Sequence, residues 1–209
     1  MKKELPDKKT LIIITGGPGT GKSETAKGLL AYLQNDEIVS LSYDAMKEAA
    51  WDRLGFDSEE EKKKVNGIAL DAFYAILENH MQKEDTILIE YPFYQFHRPP
   101  LQRLIKNYGY TAVTIWLHTD LKTAYERGCR RDTGKARHPG HLLNRYHRET
   151  FRPEDIASDD RHFLSFESFK KSIDGRDYNL ALGITIPVDV TDFRNLSYDD
   201  IWKKMTGSR

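Results

Sequence analysis

Eight residues near the start of the chain have the types and spacing to hold a row of phosphates. Gly16-Gly17-Pro18-Gly19-Thr20-Gly21-Lys22-Ser23 fits the pattern Gly-x-x-x-x-Gly-Lys-Ser in full. The glycines permit backbone conformations that turn N–H groups inward around anionic oxygens. A helix opening at Lys22 adds its N-terminal dipole. Lys22 supplies a point charge for the β- and γ-phosphates, and the Ser23 hydroxyl is a hard oxygen suited to Mg2+. The plainer reading, a glycine-rich turn with a chance Lys-Ser, is answered by context. The apolar run Leu11-Ile12-Ile13-Ile14 leads into the pattern and helical spacing follows it. We therefore place a nucleoside triphosphate on Gly17, Pro18, Gly19, Thr20, Gly21, Lys22, Ser23 and Thr25.

Other residues suit chemistry on that triphosphate. Asp44, in Ser-Tyr-Asp-Ala-Met-Lys, can orient a hydroxyl and take its proton, or it can cap the helix that follows. Glu90 ends the run Ile-Leu-Ile-Glu, where it serves a metal, a substrate or a neighbouring base. Arg127 and Arg131 share a helix face, and with Arg130, Lys135 and Arg137 they form a basic segment. Arginines delivered to a transferring phosphoryl group stabilise its spreading charge, in the order of preference Arg131, Arg137, Arg127. The competing reading is a solvated basic face paired with Glu126 and Asp132. Tyr91, Phe93, Tyr94 and Phe96 either stack on a planar acceptor or pack into the core, and Trp51 with Arg53 carries the same two readings. His138, His141 and His147 lack helical zinc spacing and read as substrate contacts or exposed loop. His118 reads as a structural histidine and Cys129 as helix-face packing.

These residues need elements to position them. Leu11–Ile14, 38–41, 86–89, 111–117 and 184–190 read as short strands, the first of the continuous apolar kind buried on both faces of a parallel sheet. A helix follows Lys22. The stretch 45–81 reads as two helices split at Gly55 and Asp57-Ser58, with Ser58 as N-cap and Glu61 three residues on. Val65, Ile68, Ala69, Ala72, Phe73, Ile76 and Leu77 form the apolar face of the second. Pro99-Pro100 opens a helix to Tyr108, Thr119-Asp120 caps one towards Arg131, and Ser197 starts a closing helix. Residues 153–180 read as short helices. The segment 132–152, crowded with Arg, His, Gly and Pro, reads as a mobile surface loop or lid. Strands alternating with helices imply a mainly parallel sheet whose ligands lie beyond the carboxyl ends of the strands, where Gly16, Asp44, Glu90 and His118 converge.

Composition narrows the setting. The 209 residues suit one domain, 1–209, with a helical acceptor side at 44–81 and a lid at 127–152. Lys plus Arg and Asp plus Glu number 32 each, which argues against broad nucleic-acid or membrane coating. One cysteine excludes an internal disulfide, and the polar start Met1–Lys9 lacks a signal-peptide core. The expected setting is cytoplasmic. No Asn-Lys-x-Asp guanine signature follows the fourth strand, and no strand ends in Asp-Glu.

Taken together, the loop 16–23, Asp44, Glu90 and the segment Tyr-Glu-Arg127-Gly-Cys-Arg130-Arg131-Asp-Thr-Gly-Lys-Ala-Arg137-His-Pro resemble the small P-loop kinases over about residues 10–150. These are the nucleoside monophosphate kinase-like superfamily, and most of all the zeta-toxin, chloramphenicol phosphotransferase and polynucleotide kinase group. The resemblance implies a P-loop NTPase three-layer α/β/α sandwich with a mainly parallel five-stranded sheet and a lid. It also implies ATP and Mg2+, with the γ-phosphate passing to a hydroxyl of a small-molecule or nucleotide-like acceptor. Lys22, Asp44, Arg131 and Arg137 would be catalytic, with Arg127 and Arg131 on the nucleotide. Asp44, Arg53, Glu90 and Arg98 would meet the acceptor, and Ser23 and Glu90 the metal. Most of these kinases carry Asp where Glu90 stands. Arg98 matches an arginine that holds an acceptor phosphate in nucleoside monophosphate kinases, although the intervening Tyr-Pro-Phe-Tyr-Gln-Phe-His departs from their pattern. Two alternatives remain: a polynucleotide or toxin-like kinase, disfavoured by the neutral charge, and a nucleotide-dependent regulatory module without transfer.

Overall fold

The computed structural model describes residues 9–35, 37–133, 137–154 and 165–207. Lys135, counted above in the basic segment, lies outside them. Five strands, β1 (Thr10–Gly16), β2 (Val39–Ser42), β3 (Ile87–Glu90), β4 (Thr111–His118) and β5 (Ile184–Asp189), form one sheet in the order β2-β3-β1-β4-β5. Every pairing is parallel. β1 therefore lies between β3 and β4, and the crevice where connections diverge opens at its carboxyl end.

The helices are α1 (Lys22–Leu33), α2 (Tyr43–Leu54), α3 (Glu59–Gln82), α4 (Arg98–Tyr108), α5 (Leu121–Asp132), α6 (Phe166–Ile173) and α7 (Tyr198–Thr206). Short 3-10 turns occupy Gln95–His97, Pro139–His141 and Phe193–Asn195. Alternate residues of β1 feed opposite faces of the sheet, as the pleat requires. Leu11 and Ile13 pack with Phe73 and Leu77 of α3 and Leu101 and Leu104 of α4. Ile12 and Ile14 pack with Leu29 and Leu33 of α1 and Ile201 and Met205 of α7. These are the three layers that the alternating pattern implied. Caps read from sequence are present: Ser58 Oγ accepts from the Glu61 N–H, Asp120 Oδ1 from Thr123 and Ser197 Oγ from Asp200. Among the described residues no helix is long and apolar enough to cross a membrane.

Two expectations are corrected. The face that α3 buries is the single i, i+4 row Val65, Ala69, Phe73, Leu77 and Met81. Ile68 and Ile76 stand 56% and 39% exposed, on a shallow groove shared with Met46 and Leu54 of α2. One row suffices because α3 lies flat on the sheet and α2 covers only part of its flank. The segment beyond α5 is not a free loop. Leu143 and Tyr146 are buried in a third cluster with Trp51, Phe56 and Val65, and Phe56 and Tyr146 exchange both backbone hydrogen bonds as an isolated antiparallel bridge. Residues 137–151 form a strap laid across α2 and the start of α3.

The two rows of α3 differ in what truncation costs. Phe73→Ala should lower unfolding free energy by about 3–5 kcal/mol through lost burial and a cavity. Ile68→Ala should cost less than about 1 kcal/mol. Urea denaturation of both variants distinguishes these outcomes.

Candidate functional site

The loop after β1 is shaped by backbone positions that only glycine fills easily. Gly19 and Gly21 have φ of 80° and 74°. A Cβ at Gly19 would overlap the Ala124 carbonyl, and one at Gly21 would overlap the Phe193 ring. Gly21 is the N-cap of α1 and makes no side-chain cap, so the first N–H groups of α1 are left for an anion. Thr20 Oγ1 donates to the Gly17 carbonyl at 2.8 Å and braces the turn. Lys22 Nζ donates to the carbonyls of Gly16 and Gly17 at 3.2 and 3.0 Å. Burial lowers the Lys22 pKa to about 8, opposed by the carboxylates of Glu90 and Asp44 and reinforced by Arg131 and Arg137.

A cavity of about 400 Å³ opens at this loop, lined by Gly19, Gly21, Lys22, Ser23 and Glu24 and by Ser42, Asp44, Ala45 and Glu48 from the end of β2 and the start of α2. Glu90, Arg127, Arg131 and Arg137 complete its wall. The parallel register carries Glu90 there, since it pairs with Ile14 on one side and Ser42 on the other. Ser23 Oγ donates to Glu90 Oε1 at 3.2 Å. A hydroxyl and a carboxylate side by side are the hard oxygen donors that Mg2+ takes, in the small number that leaves room for phosphate and water.

Asp44 does not cap α2. Ser42 does, with Oγ accepting from the Ala45 N–H, which leaves the Asp44 carboxylate to the cavity. Its Oδ1 is paired with Lys47 at 2.5 Å. Burial opposes its ionisation, but Lys47 above all, with Arg137, outweighs burial and holds its pKa below the usual value. Lys47 lies within cation–π distance of Tyr43, Trp51 and Tyr91.

The arginines divide. Arg127 donates to the carbonyls of Val190 and Thr191 and stacks over Phe193, 4.6 Å from the ring centre. Arg131 and Arg137 both lean on Asp132, at 2.8 and 3.4 Å. The second contact is poorly aligned, so Arg137 Nε is buried without a hydrogen bond. Burial, then Arg131, lowers the Arg137 pKa. Arg130 is exposed and does not line the cavity.

Three expected contacts fall elsewhere. Thr25 is fully buried, its N–H bonded to the Gly21 carbonyl and its hydroxyl without a partner beneath the loop. It belongs to the core, because the helix has already turned away from the loop by that position. Arg53 lines the outer groove with Ile68 and Ile76, having rotated with the helix to the face opposite Asp44. Arg98, in the first turn of α4, lines a groove that runs along that helix with Gln102, Ile105, Thr111 and Ile184, and does not line the main cavity. Among the described residues no Phe, Tyr or Trp ring lines the main cavity. Phe93 and Trp51 are core, and Tyr91 packs on Tyr43 and Phe93.

The histidines hold the strap. His138 Nδ1 accepts from the Gly140 N–H, so its Nε2–H faces Asp52 Oδ1 at 3.1 Å. Tyr146 donates to the same oxygen at 2.6 Å, and Arg148 pairs with Asp52 Oδ2 at 3.3 Å. His147 pairs with Asp57. His141 stands edge-on to Trp51 with Nε2 2.8 Å from Glu48 Oε1. Burial, then Arg137, pushes the His141 pKa down to about 2, so the ring is neutral and Nε2 carries the proton. Glu48 and Lys47 were missed by sequence reading, although Glu48 stands one helical turn from Asp44.

A family model described as an AAA domain (AAA_18) matches residues 12–157. No curated protein matches the chain by sequence. Among solved structures, the chain is similar to a candidate kinase from Chloroflexus aurantiacus, with 24% identity, 97% of this chain and 99% of that one covered, and a TM-score of 0.72. It is also similar to the APS kinase of Mycobacterium tuberculosis in complex with AMPPNP and APS, at 15% identity, 97% and 98% coverage and a TM-score of 0.56. A third likeness is to the PezAT toxin–antitoxin system of Streptococcus pneumoniae, at 15% identity, 99% and 82% coverage and a TM-score of 0.52. The fold is that of the small P-loop kinases.

Asp52 gathers three strap residues, so Asp52→Ala should free the strap before it unfolds the domain. Amide exchange at Phe56 and Tyr146 should quicken well beyond that of the β1 amides, and stability should fall by about 1–3 kcal/mol. Burial opposes ionisation of Asp52, and Tyr146 and His138 outweigh it to lower the pKa. This support is thus present above the usual carboxylate pKa and lost as pH falls through the lowered one.

Proposed function

The chain belongs to the AAA domain family, and from that premise and the site's geometry we propose that it is an ATP-dependent phosphotransferase, moving the γ-phosphate to a hydroxyl of a small-molecule acceptor. One observation carries this reading: the phosphate loop with Lys22 and Ser23, the carboxylate of Asp44, and Arg131 and Arg137 all line one cavity. A nucleotide-binding module without transfer would need the loop but not a carboxylate facing it.

In this reading the N–H groups of Gly19–Lys22 and the Lys22 ammonium hold the β- and γ-phosphates. Ser23 and Glu90 are the residues that would hold Mg2+, which supplies positive charge against the phosphate oxygens when bound. Asp44 accepts the hydrogen of the acceptor hydroxyl and orients its oxygen on the γ-phosphorus. Phosphoryl transfer has little nucleophile deprotonation early in its course, so an orienting carboxylate of low pKa is adequate until the proton is released to it. Arg131 and Arg137 move from Asp132 to the equatorial oxygens as charge spreads over them. The docked strap beside α2 limits water, which would otherwise take the phosphoryl group.

Transfer of label from γ-labelled ATP to a hydroxyl compound is the direct test. Lys22→Ala should abolish transfer and weaken ATP binding by at least about 10-fold, the loss of a charged phosphate contact. Asp44→Asn should lower kcat by about 100-fold or more and leave the Kd for ATP within about twofold. Full turnover by Asp44→Asn would rule out its role.

Lys22 also sets a pH dependence. Its pKa is about 8 in the free protein, and phosphate oxygens raise it in the complex. Binding must then take up a proton above pH 8, so the Kd for ATP should rise about tenfold per pH unit there. Calorimetry in buffers of different ionisation enthalpy should show that uptake in the wild type and not in Lys22→Gln.

A further inference from the structure

Resting on the transfer reaction above and specifying its acceptor, we propose that Glu48 is a specificity-determining residue and that the acceptor is an uncharged polyol or an amino alcohol with no phosphate of its own. Asp44 and Glu48 lie one turn apart on the face of α2 that lines the cavity shared with the phosphate loop. Each has one oxygen engaged, Asp44 Oδ1 by Lys47 and Glu48 Oε1 by His141 Nε2 at 2.8 Å. The second oxygen of each takes no hydrogen bond among the described residues. A carboxylate accepts and does not donate, so a ligand seated here must bring two donors. Positions i and i+4 of a helix are spaced about 5–6 Å at Cβ, which suits a reacting hydroxyl on Asp44 and a second hydroxyl or ammonium a few bonds away on Glu48.

The cations point to the same class. Lys22, Arg127 and Arg131 line the cavity together with the phosphate loop, and Arg137, which also lines it, stands close enough to Asp44 and Glu48 to feel their charge. In the transfer reading Arg137 is drawn to the transferring phosphate. On the α2 side Lys47 is taken up by Asp44, and Lys62 donates to the Leu143 carbonyl. Arg98, the residue expected to meet an acceptor phosphate, and Arg53, expected at the acceptor, face other grooves. A phosphorylated acceptor would thus set a second dianion against two carboxylates. Among the described residues a planar base would also find no Phe, Tyr or Trp ring in the cavity wall to stack on. Nucleoside monophosphates are disfavoured on both counts.

His141 acts through Glu48 and is a positioning residue. Its ring is fixed edge-on to Trp51, 4.7 Å between centres, and its Nε2–H fixes which Glu48 oxygen is free.

Matched probes with γ-labelled ATP and Mg2+ test the inference: glucose, glucosamine and ethanolamine against glucose 6-phosphate, phosphoethanolamine, gluconate and AMP. Label should move to one or more of the first three. With the best probe, Glu48→Gln should raise the acceptor KM by about tenfold or more, the loss of a charged hydrogen bond, with the KM for ATP unchanged. His141→Gln should raise the same KM with less effect on kcat. Glu48→Asp, which keeps the charge on a shorter stem, gives a second reading should Glu48→Gln fold poorly. Preferred labelling of the phosphorylated or carboxylated probes, or an unchanged acceptor KM in Glu48→Gln, overturns this inference and leaves the phosphotransferase reading standing. No label on any probe while ATP binds and Lys22→Ala abolishes that binding overturns both.

Discussion

A lysine ammonium withdrawn from water at the carboxyl end of β1 sets the terms for the residues around it. Lys22 Nζ rests on two backbone carbonyls of its own loop, and burial brings its pKa to about 8. A desolvated cation is tolerable only where negative charge compensates it. Glu90 and Asp44 do so, and neither is near Lys22 in sequence. They arrive because β1, β2 and β3 run parallel in a register that ends them together, with Ser42 and Ile14 flanking Glu90. Because α2 starts at Tyr43 with no intervening loop, the second carboxylate comes on a rigid helix. The strand register thus assembles the charge balance on which the phosphate loop depends.

What could be read from sequence was local. The loop 16–23, the strands and the serine and aspartate caps are each specified within about one helical turn of themselves, and all stand where the pattern put them. Failures came where a side chain's direction depends on what covers its element. The apolar face of α3 carried two rows, and only packing decides that Val65, Phe73 and Leu77 go in while Ile68 and Ile76 stay out. Arg53 and Arg98 have the right type in the right stretch, but the face of its helix on which each stands sets it in a groove other than the main cavity. Thr25 was one residue too deep into its helix.

The strap was the least legible element, for a physical reason. Its order comes from partners far away in the chain: His138, Tyr146 and Arg148 on Asp52, His141 on Glu48, and Lys62 on Leu143. No periodicity announces such contacts, and a composition of Arg, His, Gly and Pro reads as mobile. Once docked, the strap shares its helix with the cavity. Successive turns of α2 offer Asp44 and Glu48 to the site and Trp51 and Asp52 to the strap, so the two are braced by the same backbone.

In the proposed transfer, with the acceptor class inferred above, the uneven charge of the cavity wall bears on how a cycle ends. Before reaction, a neutral or cationic acceptor sits comfortably beside Asp44 and Glu48. Afterwards the same molecule carries a phosphate dianion, the triphosphate has become a diphosphate, and the arginines have lost the extra charge that held them forward. The carboxylates that welcomed the acceptor now repel the product. Departure is favoured by the event that creates the product, so the wall that selects what enters also clears the site for the next round.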